Sequence, residues 1–370
     1  MLLKKATDRL FHEKPRQRRI LQVWQKEYRI PIYAFPGRIG QQALFDSLMG
    51  GKNMVLSVLI LVAGFVLLVK GADFFVDGAA AIAKKLQVPG FIIGMTVVSM
   101  GTSAPECAVS ITASLKGSNG MAISNVIGSN LFNLLMVCGI CALFSPLVIK
   151  KDTLKREFPF SVLMAVLLLI LGRIGWSAGH LDGILLLVIF LFFLIWMVHS
   201  AKQMMKQGQN EEIEEVKDLT NGKCAVFVIG GLAAIAIGGQ MVVNAAEDIA
   251  LAAGMSETLV GLTICSIGTS LPELVTSVVA ARKNQAGMAL GNVIGSNIFN
   301  ILLVAGIASA ISPIAVTQEN LIDLAFLIAI SLYTMAIVWK CQQLERGGGI
   351  SLVALYAAYM VYICLREMVW

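Results

Sequence analysis

Two glutamates, Glu106 and Glu273, stand in stretches otherwise apolar enough to cross a bilayer. They close the sequences Gly101-Thr102-Ser103-Ala104-Pro105-Glu106 and Gly268-Thr269-Ser270-Leu271-Pro272-Glu273. A carboxylate at membrane depth is costly and is tolerated mainly beside water, ions or partners. Neither stretch holds a Lys or Arg, so each glutamate calls for a cation or a proton. On a helix, Ser99, Thr102, Ser103 and Glu106 fall at i, i+3, i+4 and i+7 and share one face. Pro105 withholds a backbone donor from the carbonyl of Gly101. Hydroxyls, a carboxylate and loosened carbonyls are hard oxygen donors, the kind that Ca²⁺, Mg²⁺ or Na⁺ selects.

The pattern is written twice, 167 residues apart, and the offset holds through a second motif without a gap. Ser124-Asn125-Val126-Ile127-Gly128-Ser129-Asn130 matches Gly291-Asn292-Val293-Ile294-Gly295-Ser296-Asn297, and Asn133 matches Asn300. Asn125, Ser129 and Asn133 are four residues apart, again one helical stripe, as are Asn292, Ser296 and Asn300. Gly128 and Gly295 allow helices to approach closely, and the asparagines can serve as interhelical packing contacts as well as ligands. The chain is two related halves.

The elements that carry these motifs follow from composition. The 370 residues are 57% hydrophobic and only 14% charged, with mean hydropathy +0.79. Soluble domains carry nearer a quarter charged residues, so the chain reads as an all-α polytopic membrane protein. Apolar runs of spanning length fall at 54–72, 90–115, 119–144, 157–173 and 181–200, and again at 224–244, 258–281, 287–311, 321–340 and 350–366. About ten transmembrane helices, five per half, make the second half enter from the opposite side, as two inverted-topology five-helix repeats. With the end of the first span inside, fifteen loop Lys and Arg lie inside and three outside, which the positive-inside rule favours strongly.

The chain divides into a basic N-terminal tail (1–53), a first five-span repeat (54–200), a short cytoplasmic linker (201–223) and a second five-span repeat (224–370). The tail holds eleven basic residues on what would be the outer side, against the rule; the expectation is a start-site artefact, with translation beginning at Met54 or Met49. The linker's Glu211, Glu212, Glu214, Glu215 and Asp218 lack EF-hand spacing and read as a solvated connector. The net charge of +6 lies in loops and tail and argues for no nucleic acid. Seven scattered cysteines make no disulfide framework, and Cys138 and Cys141 read as core residues. No His or Cys cluster suggests a transition-metal site.

GTSAPE and GTSLPE, each followed by a GSN motif, resemble the α-repeats of the calcium/cation antiporters, specifically the prokaryotic type of the sodium/calcium exchanger branch. The resemblance covers roughly residues 54–366. It implies a secondary antiporter in a prokaryotic plasma (inner) membrane, exchanging Ca²⁺ for Na⁺ by alternating access at one midplane site, without an enzymatic activity or cofactor. It also implies the ligands. Ca²⁺ would use Glu106, Glu273, Thr102 and Thr269 with backbone carbonyls near Ser99 and Ser266, and Na⁺ would draw on Ser103, Ser270, Ser129, Ser296, Asn133 and Asn300. The first and sixth spans would move against the rest. Some relatives, notably the potassium-dependent branch, carry Asp at one or both positions matching Asn133 and Asn300.

Other functions remain on the residues alone. A proton/calcium antiporter would use the glutamates as proton carriers, but would not need the Ser and Asn oxygens. A cation channel could ring its pore with glutamates, whereas broken helices in inverted repeats favour a transporter. An intramembrane hydrolase is disfavoured because no His lies in either motif to activate Ser103 or Ser270.

Overall fold

The computed structural model describes residues 38–115, 119–149, 151–207, 219–253 and 266–369. The expected start-site artefact falls in 1–53, most of which lies outside the described residues, as do the linker acids from Glu211 to Asp218. Two compact units are present, Met1–Asn53 and Met54–Trp370, and the second carries all four motifs.

Among the described residues seven helices are long and apolar enough to span a bilayer. They are the Met54–Leu86 part of α1 (Arg38–Leu86), α4 (Gly120–Phe144), α7 (His180–Gln207), α8 (Asn221–Ala252), α11 (Ala286–Ile311), α12 (Gln318–Trp339) and α13 (Arg346–Val369). An eighth span is a bent pair, α2 (Gly90–Thr102) and α3 (Ala104–Leu115), turning by 46°. Shorter helices are α5 (Lys151–Lys155), α6 (Glu157–Arg173, 17 residues), α9 (Ser266–Thr269) and α10 (Leu271–Arg282). The counterpart of α2 falls mainly on residues 254–265, outside the described set.

The core forms around α4 and α11. In each, 78% of the spanning window is buried, against 17–39% for the other five long helices, so these two stand at the centre and the rest face lipid. Both carry the GSN motif, and both contain a π turn, Asn133–Val137 and Asn300–Val304, that starts on the asparagine three residues beyond the motif. Cys138 and Cys141 are buried in this core as free thiols.

Two short antiparallel strand pairs join the halves. Leu147 and Val148 pair with Leu344 and Gln343, while Ser177 and Ala178 pair with Ala315 and Ile314. Leu147 and Val148 shifted by 167 residues are Ile314 and Ala315, and Ser177 and Ala178 shifted by 166 are Gln343 and Leu344, so the two crossings are related by the repeat with a one-residue slip.

α1 and α8 meet backbone to backbone. A methyl added at Gly231 would lie 2.7 Å from the Phe75 nitrogen and 2.8 Å from the Gly71 oxygen, and one at Gly238 would lie 2.6 Å from the Leu68 nitrogen. Small residues at such a seam let helices gain dispersion contact where lipid gives no hydrophobic drive. α1 continues well past residue 72, where the apolar run ends, so Asp73 and Asp77 sit on unbroken helix. Lys283, just after α10, reaches both: its Nζ lies 2.6 Å from Asp73 Oδ1 and 2.6 Å from Asp77 Oδ1, and it donates to the Asp73 carbonyl at 3.0 Å. At the counterpart positions on α8, Gln240 donates to Asn244 at 2.6 Å.

Candidate functional site

The GTSxPE motifs break their helices in the same way. α2 ends at Thr102 and α3 begins at Ala104, leaving Ser103 at φ −83, ψ 7; α9 ends at Thr269 and α10 begins at Leu271, leaving Ser270 at φ −93, ψ 5. Each proline then occupies the first turn of the new helix, where its missing N–H costs nothing and its fixed φ fits. The continuous stripe expected for Ser99, Thr102, Ser103 and Glu106 is therefore a bent one, with the serine as its pivot. All four residues remain buried.

The break turns each serine toward the opposite half. Ser103 donates to Glu273 Oε1 at 2.8 Å, and Ser270 donates to Glu106 Oε1 at 3.0 Å. Both glutamates are 0% exposed, and among the described residues neither has a Lys, Arg or His within ion-pair range. The second oxygen of each carboxylate, Oε2, accepts no hydrogen bond. Ser129 Oγ, Ser296 Oγ, Asn300 Oδ1 and both amide atoms of Asn133 are likewise buried without partners. Buried polar groups are normally paired, so this concentration of orphan oxygens beside two unpaired carboxylates suits a dehydrated cation.

The remaining residues expected at the site take different roles. The single Thr102 hydroxyl proton has Asn292 Oδ1 at 3.1 Å and Val98 O at 3.2 Å as competing acceptors, and Thr269 donates to Asn125 Oδ1 at 3.4 Å. Ser99 turns its hydroxyl back onto the Met95 carbonyl at 2.8 Å, and its own carbonyl accepts the Ser103 N–H at 3.0 Å. Ser266 opens α9, and its side chain is outside the described set. Asn300 donates to Asn130 Oδ1 at 3.2 Å, and Asn297 to the Asn130 carbonyl at 3.3 Å, a central amide cluster between α4 and α11.

Of the two motif glycines, Gly295 is a point of contact: a methyl there would stand 2.7 Å from the Met95 carbonyl and 2.7 Å from Ser99 Oγ. The partner of Gly128 at the same offset falls at residue 262, outside the described residues. Sequence reading missed Ser110 and Ser277. Each lies one turn beyond its glutamate and is 0% exposed, and each accepts at 2.9 Å from Asn125 or Asn292 respectively. Their shared offset of 167 residues was the available signal.

The family model described as "Sodium/calcium exchanger protein" matches residues 56–199 and 223–365, once per half. The sodium/calcium exchanger MaX1 of Methanosarcina acetivorans is 34% identical over 352 residues, covering 84% of this chain and 99% of that protein. The inner membrane protein YrbG of Escherichia coli K12 is 34% identical over 323 residues, covering 84% and 97%. Among solved structures, the sodium-calcium exchanger NCX_Mj superposes with a TM-score of 0.74 at 32% identity, covering 84% of this chain and 99% of that one. With its apolar helices, doubled family match and full-length relatives, the chain is an integral membrane protein and belongs to the sodium/calcium exchanger family, in its prokaryotic form.

Proposed function

We propose that this protein exchanges Ca²⁺ for Na⁺ by alternating access at the site between the two halves. The observation that carries the reading is the reciprocal pair of buried glutamates, each held on one oxygen by the other half's serine and open on the second. Two carboxylates repel one another in a low-dielectric interior, so the pair favours cations or protons. One Ca²⁺ balances both charges, with Thr102 and Thr269 beside it. Several Na⁺ can do the same from neighbouring oxygens, at Ser103, Ser270, Ser129, Ser296, Asn133 and Asn300. Where the two ion sets share ligands they exclude one another, which enforces exchange rather than cotransport.

Ten spans in two inverted repeats complete the reading: the seven long helices, the bent pair, the 17-residue α6, and a counterpart of α2–α3 that includes α9 and α10. The offset-related strand pairs support it, since each joins two loops that the count puts on one side of the membrane. The glycine seam supports α1 and α8 as one body that slides past the remainder.

The asparagines at 133 and 300 set the expected driving ion. With no aspartate there, the centre holds at most two formal negative charges, which Ca²⁺ alone balances. Sodium-loaded proteoliposomes in choline buffer should therefore take up ⁴⁵Ca²⁺ with no potassium present. Three or more Na⁺ per Ca²⁺ would move net charge, so an inside-positive potential should speed Na⁺ exit, by about 2.3 kcal/mol per charge per 100 mV. Uptake that needs added K⁺ would overturn the reading of the asparagines. Uptake driven by a proton gradient and indifferent to Na⁺ would make the protein a proton/calcium antiporter instead.

A further inference from the structure

Asn125 and Asn292 make the same three contacts in opposite halves. Each amide nitrogen donates at 2.9 Å to the serine one turn beyond its own half's glutamate, Ser110 or Ser277. The same nitrogen lies 3.4 Å from the glutamate's backbone carbonyl, Glu106 O or Glu273 O. Each amide oxygen accepts from the threonine of the other half, Thr269 at 3.4 Å or Thr102 at 3.1 Å. The amide orientation follows from chemistry, because a backbone carbonyl only accepts and must face the nitrogen. Every asparagine thus touches the GTSxPE motifs of both halves.

We infer that Asn125 and Asn292 are positioning residues that fix the distance between the two motifs and commit the threonine protons, leaving the threonine lone pairs for the ion. The inference rests on the exchange reading above. A threonine whose proton is held by an amide oxygen turns its lone pairs to a cation; at Thr102 the Val98 carbonyl at 3.2 Å competes for that proton, and Asn292 at 3.1 Å draws it across to the other half. Both amide nitrogens face acceptors within the protein, and each amide oxygen has one of its two lone pairs taken by a threonine. Their effect on binding passes through Thr102, Thr269 and the backbone at Glu106 and Glu273. The two braces are unequal. Asn292 is 1% exposed and holds the shorter threonine bond, while Asn125 is half-buried.

The test is equilibrium ⁴⁵Ca²⁺ binding to the purified full-length protein, with Na⁺ competition, for wild type, Asn292→Leu and Asn125→Leu. Asn292→Leu should weaken Ca²⁺ binding about tenfold, the scale of a lost buried hydrogen bond, and Asn125→Leu about threefold. The ratio of Ca²⁺ to Na⁺ affinity should shift in both. A merely structural residue would lower the number of binding sites and leave the affinities and their ratio unchanged, which would overturn the inference. If Asn292→Leu does not fold, Asn292→Ser, which keeps one hydroxyl at the junction, should show a smaller shift of the same sign. Combining Asn292→Leu with Thr102→Val should cost less than the sum of the two single changes, because both remove the Thr102–Asn292 bond; full additivity counts against the brace. Wild-type protein that binds no Ca²⁺ would overturn the exchange reading and this inference with it, whereas normal wild-type binding with unaltered variants overturns the inference alone.

Discussion

Glu106→Gln and Glu273→Gln should each reduce Na⁺-driven Ca²⁺ uptake to the level of empty vesicles while leaving the protein inserted and folded. Glutamine has the shape of glutamate and keeps an oxygen able to accept from Ser270 or Ser103, so the cross-half hydrogen bond survives. What goes is one of two negative charges, and the oxygen left open on the far side becomes an amide nitrogen that repels a cation. A divalent ion out of water with one carboxylate is an uncompensated buried charge. Removing one partner of a buried pair costs about 3–5 kcal/mol, or on the order of a hundredfold or more in binding. The measurement is initial ⁴⁵Ca²⁺ uptake at matched protein content, with size-exclusion profiles showing the variants intact. Wild-type uptake by either variant would remove that glutamate from the site.

Gly291→Leu should be the most damaging single change outside the charged site. A methyl at Gly291 would collide with the Phe91 carbonyl and stand 2.9 Å from the Met95 nitrogen, so even alanine has no room. The reverse contact is equally close, since a methyl on Gly94 would run into the Met288 carbonyl. α11 and α2 therefore cross with backbones touching, and α2 ends in Ser99 to Thr102. A leucine must push the two helices apart, and overpacking of this kind costs about 1–3 kcal/mol before the displaced motif is counted. The expectation is a melting temperature lowered by several degrees in detergent and a loss of Ca²⁺ binding. Gly230→Leu is the control: that glycine is exposed on α8 with no described atom within 4 Å of an added methyl, and its variant should melt like the wild type. Equal melting of Gly291→Leu and wild type would refute the close crossing.

Much of the site was legible because ion chemistry restricts residue type. A glutamate in an apolar run, hydroxyls beside it and an ungapped repeat can be read without coordinates. The position of the helix break could not. Pro105 points to a disturbance at Gly101, yet the chain breaks at Ser103, because a proline sits comfortably in the first turn of a restarted helix. Nor could the pairing of Ser103 with Glu273 be read, since a repeat shows that two motifs are alike but not which serine serves which carboxylate. The length of α1 was hidden for another reason. Hydropathy falls at Lys70 and Asp73, but helix geometry does not depend on hydropathy, and the helix runs on to Leu86.

The clasp of Lys283 on Asp73 and Asp77 makes the two halves unequal. If the halves trade roles during the cycle, the matching contact in the opposite arrangement joins Lys116 to Gln240 and Asn244, which offer amides where α1 offers carboxylates. One closed face is then fastened by charge and the other is not. The three groups are partly exposed, so the difference is modest, on the order of 1 kcal/mol, but that alone tilts a two-state balance about fivefold. The proposed topology puts the clasp on the inner face, and an exchanger so biased would spend most of its idle time facing outward. Ions arriving from outside would then find it ready, whereas ions from the cytoplasm would wait for it to turn.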